Sequence, residues 1–262
     1  VPPPLPPPAP TSLAAALFQH AAERPDEPWL FRAEGLDWRW CSFAAMAERV
    51  ERLAADLAPE AEGAVAAARP RTAPGAQPAT PEGVAWELAR QAAGLPVVWR
   101  SAEGERSLAP DEVVREGEAL AAALQLARMP DAAPARKARG IVVLCGPFDD
   151  PAEGALLAWA TLCGAAVVLE PTPALRVPTA LWARPTVFLG SPEEIAALRH
   201  RVARESSRRR FALWGRRRRA LPLRRLRALL VRGAAGLPED DAAFWRGRGV
   251  AVLAAERRNR GI

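Results

Sequence analysis

The sequence predicts an α/β protein, a largely parallel sheet flanked by helices and entered through an N-terminal helix–hairpin–helix segment. Three observations carry that expectation. Short apolar runs at about 95–99, 140–145, 165–169, 185–189, 227–231 and 249–253 are separated by helical segments. Strands that alternate with helices need crossover connections, which cover both faces of a parallel sheet. Helix starts between the runs are also marked. Asp150-Pro151-Ala152-Glu153 and Ser191-Pro192-Glu193-Glu194 each combine an N-cap, a proline in the first turn and a capping-box glutamate. Pro238-Glu239-Asp240-Asp241 places acids where a helix dipole favours them.

In chain order, residues 1–10 are nearly all proline and predict an extended, solvated tail. Residues 11–58 form the helix–hairpin–helix segment. Leu13, Ala16, Leu17, His20 and Ala21 share one helical face before Pro25. Trp29 to Phe31 and Asp37 to Trp40, separated by Glu34-Gly35, read as a hairpin. After Ser42, the stripe Phe43, Met46, Val50, Leu53 and Leu57 predicts a second helix. Residues 59–85, rich in Pro, Ala, Gly and Thr, read as a linker. The α/β domain is expected over 86–262.

Composition excludes several classes. Half of the 262 residues are hydrophobic and a quarter charged, an ordinary globular balance. The formal charge of +6 permits anionic partners without demanding them. Cys41, Cys145 and Cys163 are odd in number and show no paired ligand spacing, so neither a disulfide framework nor a zinc site is expected and a cytoplasmic setting is. The longest apolar run, Ala155 to Leu169, is too short to span a bilayer.

Residues 97–108, Val-Val-Trp-Arg-Ser-Ala-Glu-Gly-Glu-Arg-Ser-Leu, follow a predicted strand and precede a helix, where a phosphate-gripping loop belongs. Glu103 and Glu105 would repel phosphate oxygens there. Elsewhere, Arg208-Arg-Arg210 and Arg216-Arg-Arg-Arg219 flank Phe211-Ala-Leu-Trp214. An arginine-rich surface insertion is the simplest reading. An acidic protein partner or anionic surface is the functional one, and no ordered nucleic-acid motif accompanies it. His20 and His200 read as ordinary helix residues, Asp150 as an N-cap, and Trp38, Trp40, Trp159, Trp182, Trp214 and Trp245 as core.

Several pieces, in this order, resemble the large domain of adenylate-forming enzymes, the AMP-binding superfamily of acyl-CoA synthetases and ligases. Leu17-Phe-Gln-His-Ala-Ala-Glu-Arg-Pro-Asp-Glu-Pro-Trp-Leu-Phe31 and Cys41-Ser-Phe-Ala-Ala-Met-Ala-Glu-Arg-Val-Glu-Arg-Leu-Ala-Ala55 are similar to its opening helix, hairpin and second helix. Val97 to Leu124 is placed like its phosphate loop and following helix. Ala155 to Pro171, Arg184 to Pro192, Leu226 to Pro238 and Gly249 to Leu253 are similar to later strands and helices.

The resemblance implies ATP-dependent activation of a carboxylate, with ATP or AMP as cofactor and a nucleotide or acyl ligand in the site. Its implied nucleotide contacts are Ser101 and Gly104 in the phosphate loop and Gly233 and Ala234 in the adenine-side loop. The functional motifs are degenerate. No lysine closes the phosphate loop, and Arg260 stands where the family has a magnesium-binding carboxylate. Little room is expected between Leu57 and Val97 for the family's first β/α subdomain, and its C-terminal lid, with the catalytic lysine, is expected to be absent. A shortened large-domain fragment, non-catalytic alone and without catalytic or metal residues, is the reading. An arginine-rich interaction module is the alternative.

Overall fold

The computed structural model describes residues 10–34, 37–63, 80–101, 104–127, 142–146, 148, 150–211, 223–233 and 236–255. The chain opens with helix α1 (Leu13–Glu23), strands β1 (Pro28–Glu34) and β2 (Asp37–Ser42), and helix α2 (Phe43–Gly63). Ser12 caps α1 by accepting from Ala15 N–H at 3.1 Å, and Ser42 accepts from Ala45 N–H at 3.2 Å at the head of α2. The stripe read from sequence is inward: Phe43, Met46, Val50 and Leu57 are buried.

A second unit repeats the same element order. Helix α3 (Pro81–Ala92) leads to strands β3 (Val97–Ser101) and β4 (Gly104–Leu108) and helix α4 (Pro110–Leu126). Here the structure departs from expectation. The run at 95–99 is not a strand of the parallel sheet, and 97–108 is not a loop between strand and helix. The two strands form a separate antiparallel sheet, with Val97 opposite Leu108 and Ser101 opposite Gly104. Alternation explains it. Val97, Trp99 and Leu108 are buried while Gly104 to Ser107 are exposed, the pattern of a hairpin covered on one face.

The open α/β layer follows. It comprises β5 (Val142–Cys145), α5 (Pro151–Cys163), β6 (Ala166–Leu169), α6 (Pro173–Ala183), β7 (Val187–Gly190), α7 (Pro192–Phe211), β8 (Ala228–Val231), α8 (Glu239–Arg246) and β9 (Ala251–Ala254). With the first hairpin these strands make one sheet in the order β2-β1-β6-β5-β7-β8-β9. Every pairing in it is parallel except β1 with β2. The α/β expectation therefore holds, and the N-terminal hairpin is built into its edge.

Both faces of the sheet are apolar. Val143, Cys145, Val167, Leu169, Val187 and Leu189 join a core with α1 to α5. Their neighbours Leu144, Val168, Phe188 and Leu229 point the other way, into a core with α6, α7 and α8. Each fully buried side chain of this kind is worth about 1.5–3 kcal/mol relative to exposure.

Candidate functional site

Ligands of open α/β sheets bind beyond the carboxyl ends of the strands, at the point where strand order reverses. In this chain that point is fixed by topology. From β5 the chain crosses through α5 to β6 on one side; it then returns through α6 to β7 on the other side of β5. The crevice between the carboxyl ends of β5 and β7 is the candidate site.

A charged cluster fills it. Glu153, in the first turn of α5, is fully buried, and Arg176 of α6 is 3 % exposed. Glu153 Oε2 accepts from Gly146 N–H at 2.7 Å, and Glu153 Oε1 pairs with Arg176 Nη1 at 2.9 Å. Arg232, just past β8, donates to Glu153 Oε1 from the open side. Arg176 donates to the carbonyl of Leu189 and lies 3.3 Å from Glu194 Oε1 through Nε, without hydrogen-bond alignment. Glycines at the strand ends make this possible. A Cβ on Gly146 would overlap Arg176 and crowd Glu153; one on Gly190 would overlap the Phe188 ring.

The electrostatics are finely opposed. Burial pushes the Glu153 carboxyl above its ordinary value, while Arg176, the Gly146 N–H and Arg232 pull it back. Burial also pushes the neighbouring Cys145 thiol well up, so it is not a thiolate nucleophile. Arginine is suited to such a site because its planar fork serves several acceptors at once.

The caps behave as read, with one exception. Asp150 accepts from Ala152 N–H at 3.0 Å and Glu153 N–H at 3.1 Å. Ser191 and Glu194 close a reciprocal capping box. Glu153, expected to complete the other box, turns inward to the crevice instead. The sequence held a signal for this: Glu153 heads the apolar run Ala155 to Leu162, and Arg176 interrupts an apolar turn of α6.

Of the nucleotide contacts implied by the resemblance, Ser101 and Gly104 are brought together as cross-strand partners at the end of the β3–β4 hairpin. Glu105 is held there by Arg100 at 2.9 Å. Gly233 follows β8 at the carboxyl edge of the large sheet, one residue after Arg232. The pairs thus lie on different sheets. Ala234, Glu103, Lys137, residues 208–219 other than the backbone of α7, and Arg260 lie outside the described residues. His20 and the tryptophans are placed more sharply. His20 Nε2 hydrogen-bonds the Thr161 carbonyl at 2.9 Å, a structural clamp. Trp159 and Trp245 are core, but Trp40 and Trp182 are each 59 % exposed, which corrects the reading of both as core residues.

Solved structures share this architecture. The nonribosomal peptide synthetase FmoA3 in its AMPPNP-bound form matches 94 % of the chain with a TM-score of 0.63 and 16 % identity. Mycobacterium smegmatis MbtA matches 90 % with a TM-score of 0.58 and 14 % identity. The o-succinylbenzoate CoA synthetase of Bacillus subtilis matches 90 % with a TM-score of 0.58 and 12 % identity. The fold is that of adenylate-forming enzymes. The chain spans 31 %, 55 % and 57 % of those three chains, so its adenylate-forming fold corresponds to part of each. No protein-family model and no curated protein matches it in sequence. Among the described residues no helix is long and apolar enough to cross a membrane.

Proposed function

We propose that this chain is a degenerate domain of the AMP-dependent ligase type that does not activate a carboxylate on its own. The observation that carries the reading is the Glu153–Arg176 pair in the switch-point crevice. Among the described residues, the two arginines reaching this crevice are engaged by Glu153, and a phosphate entering it would meet that carboxylate and Glu194. Glu103, Glu105 and Arg260 in the sequence support the same reading. Incubation with ATP, magnesium and a panel of carboxylic acids is expected to release pyrophosphate at the rate of a protein-free control. Robust release would overturn it. In that outcome the activity is ATP-dependent adenylation, and Ser101, Gly104, Gly233 and Ala234 are the proposed nucleotide contacts. Three free cysteines support a reducing, cytoplasmic setting.

A second reading rests on the charge run Arg208 to Arg219, seven arginines around Phe211 and Trp214. In it the run binds an acidic protein partner or an anionic surface. Replacing Arg216 to Arg219 with serine is expected to abolish retention on an acidic polypeptide column; unchanged retention counts against this reading.

A further inference from the structure

Charge is distributed unevenly along this chain. Residues 171–237 carry sixteen of its 36 arginines and lysines but three of its 30 acidic residues, so the remainder is net acidic. That segment builds α6, α7 and β8. Within it α6 stands apart. Its one charged residue, Arg176, is buried, while Leu175, Pro178 and Trp182 are exposed along a single stripe. A helix that is apolar all round is ordinarily covered on every side. The stripe continues onto β2. Trp182 lies flat on Trp38 at 3.9 Å between ring centroids and 3° between planes, and the exposed Trp40 stands on the same face of the strand as Trp38.

Cations gather at the C-terminal end of that stripe. Arg184 is the C-cap of α6. Two residues on, the Thr186 carbonyl accepts from Arg227 N–H at 2.8 Å, and Arg224 and Arg225 occupy the turn that Leu226 N–H closes onto the Leu223 carbonyl. Helix α7 returns towards β8 carrying Arg201 and Arg204. All six arginines are exposed, and none has a carboxylate partner among the described residues. Glu193, Glu239 and Asp240 stand instead in the first turns of α7 and α8, at the opposite, carboxyl end of the strands. Exposed indoles beside unpaired guanidiniums match the boundary between lipid headgroups and acyl chains. Indoles settle at that depth, and each cation near an anionic leaflet adds to the attraction. A purely polyanionic partner would satisfy the arginines and leave Leu175 and Pro178 in water.

We propose that the outer face of α6, with the basic end beside it, docks on an anionic phospholipid bilayer. α6 lies in the plane of the interface, Leu175 and Trp182 enter the acyl boundary, and the arginines reach the headgroup phosphates and carboxylates. The acids at the far end of α7 and α8 turn away, so the charge distribution sets the orientation of approach. The proposal rests on the arginine-rich reading of this segment and is independent of whether the chain has ligase activity.

Flotation of the full chain with vesicles of phosphatidylcholine, with and without phosphatidylserine, tests it. The chain is expected to float with the anionic vesicles. Most of that binding should be lost as salt rises from about 0.1 to about 1 M, where the Debye length falls from about 10 to about 3 Å. Arg184→Ser with Arg224→Ser and Arg225→Ser should weaken partitioning about a hundredfold. Leu175→Ser with Trp182→Ser should weaken it about tenfold or more, a loss that attraction between charges alone does not produce. In the unaltered, bound protein, brominated acyl chains are expected to quench part of the tryptophan fluorescence. No flotation, equal flotation with neutral vesicles, or unchanged partitioning of either folded variant overturns the proposal. Circular dichroism checks folding; if a variant is unfolded, quenching of the unaltered chain decides, and its absence overturns the proposal. Retention on an acidic polypeptide or a single-stranded oligonucleotide without flotation leaves the arginine-rich reading standing and overturns the lipid one.

Discussion

Glu153 is the residue on which the crevice turns. A fully buried carboxylate is tolerated because a backbone N–H and two guanidiniums reach it. Removing one partner of a buried pair costs more than the pair contributes, because the survivor is left desolvated. Glu153→Ala is therefore expected to cost about 3–5 kcal/mol, seen in thermal melts as a loss of roughly 10 °C. Replacing Glu153 and Arg176 together with methionine should cost distinctly less, since no buried charge is then orphaned. Equal losses would show that packing, not charge, holds the crevice. The sequence made both residues visible as charges inside apolar helices; it could not show that they meet, because the meeting depends on α5 and α6 flanking one strand end.

At the scale of elements, α5 is held at both ends. Asp150 caps its start. Its end is capped by Gly164 in the left-handed conformation, φ 63°. There His20 Nε2 donates to the Thr161 carbonyl, Nδ1 lies 3.3 Å from Arg24 Nη2, and Arg24 donates to the Gly164 carbonyl at 2.9 Å. Burial, and then the Arg24 charge, lower the His20 pKa. A depressed folded-state value means the unfolded chain takes the proton more readily. The stabilisation is thus full above the unfolded value near 6.5 and is lost as pH falls through the folded one. Thermal stability should decline between pH 7.5 and 5.5, and His20→Gln should flatten that slope; parallel slopes would refute the assignment. Helix starts were legible because caps are local chemistry. The β3–β4 hairpin was misread because a short apolar run followed by a turn looks the same whether its partner is a neighbour or a distant strand. Only the burial of Val97, Trp99 and Leu108 against an exposed Gly104 to Ser107 separates the two.

For the whole molecule, the parallel sheet was legible from its rhythm, since five of the six apolar runs are strands of it. Its order was not, because long-range pairing leaves no local mark. Nor was the exposure of Trp40 and Trp182. An indole at strand or helix spacing reads as core, and only the position of β2 at the sheet's end leaves these two outside. The pyrophosphate assay belongs to this scale as well, since it asks what the assembled crevice does.

The placement of β1 has a consequence for how the protein is made. Leu30 pairs with Val167 and Arg32 with Leu169, so the β1–β2 hairpin must wait for a strand translated much later. The β3–β4 hairpin needs no such delay, because its partners are adjacent in sequence. Order of synthesis and order of assembly therefore run in opposite directions at this edge. Until β6 arrives, β1 and β2 are an exposed, tryptophan-bearing ribbon that a growing chain must keep from strangers.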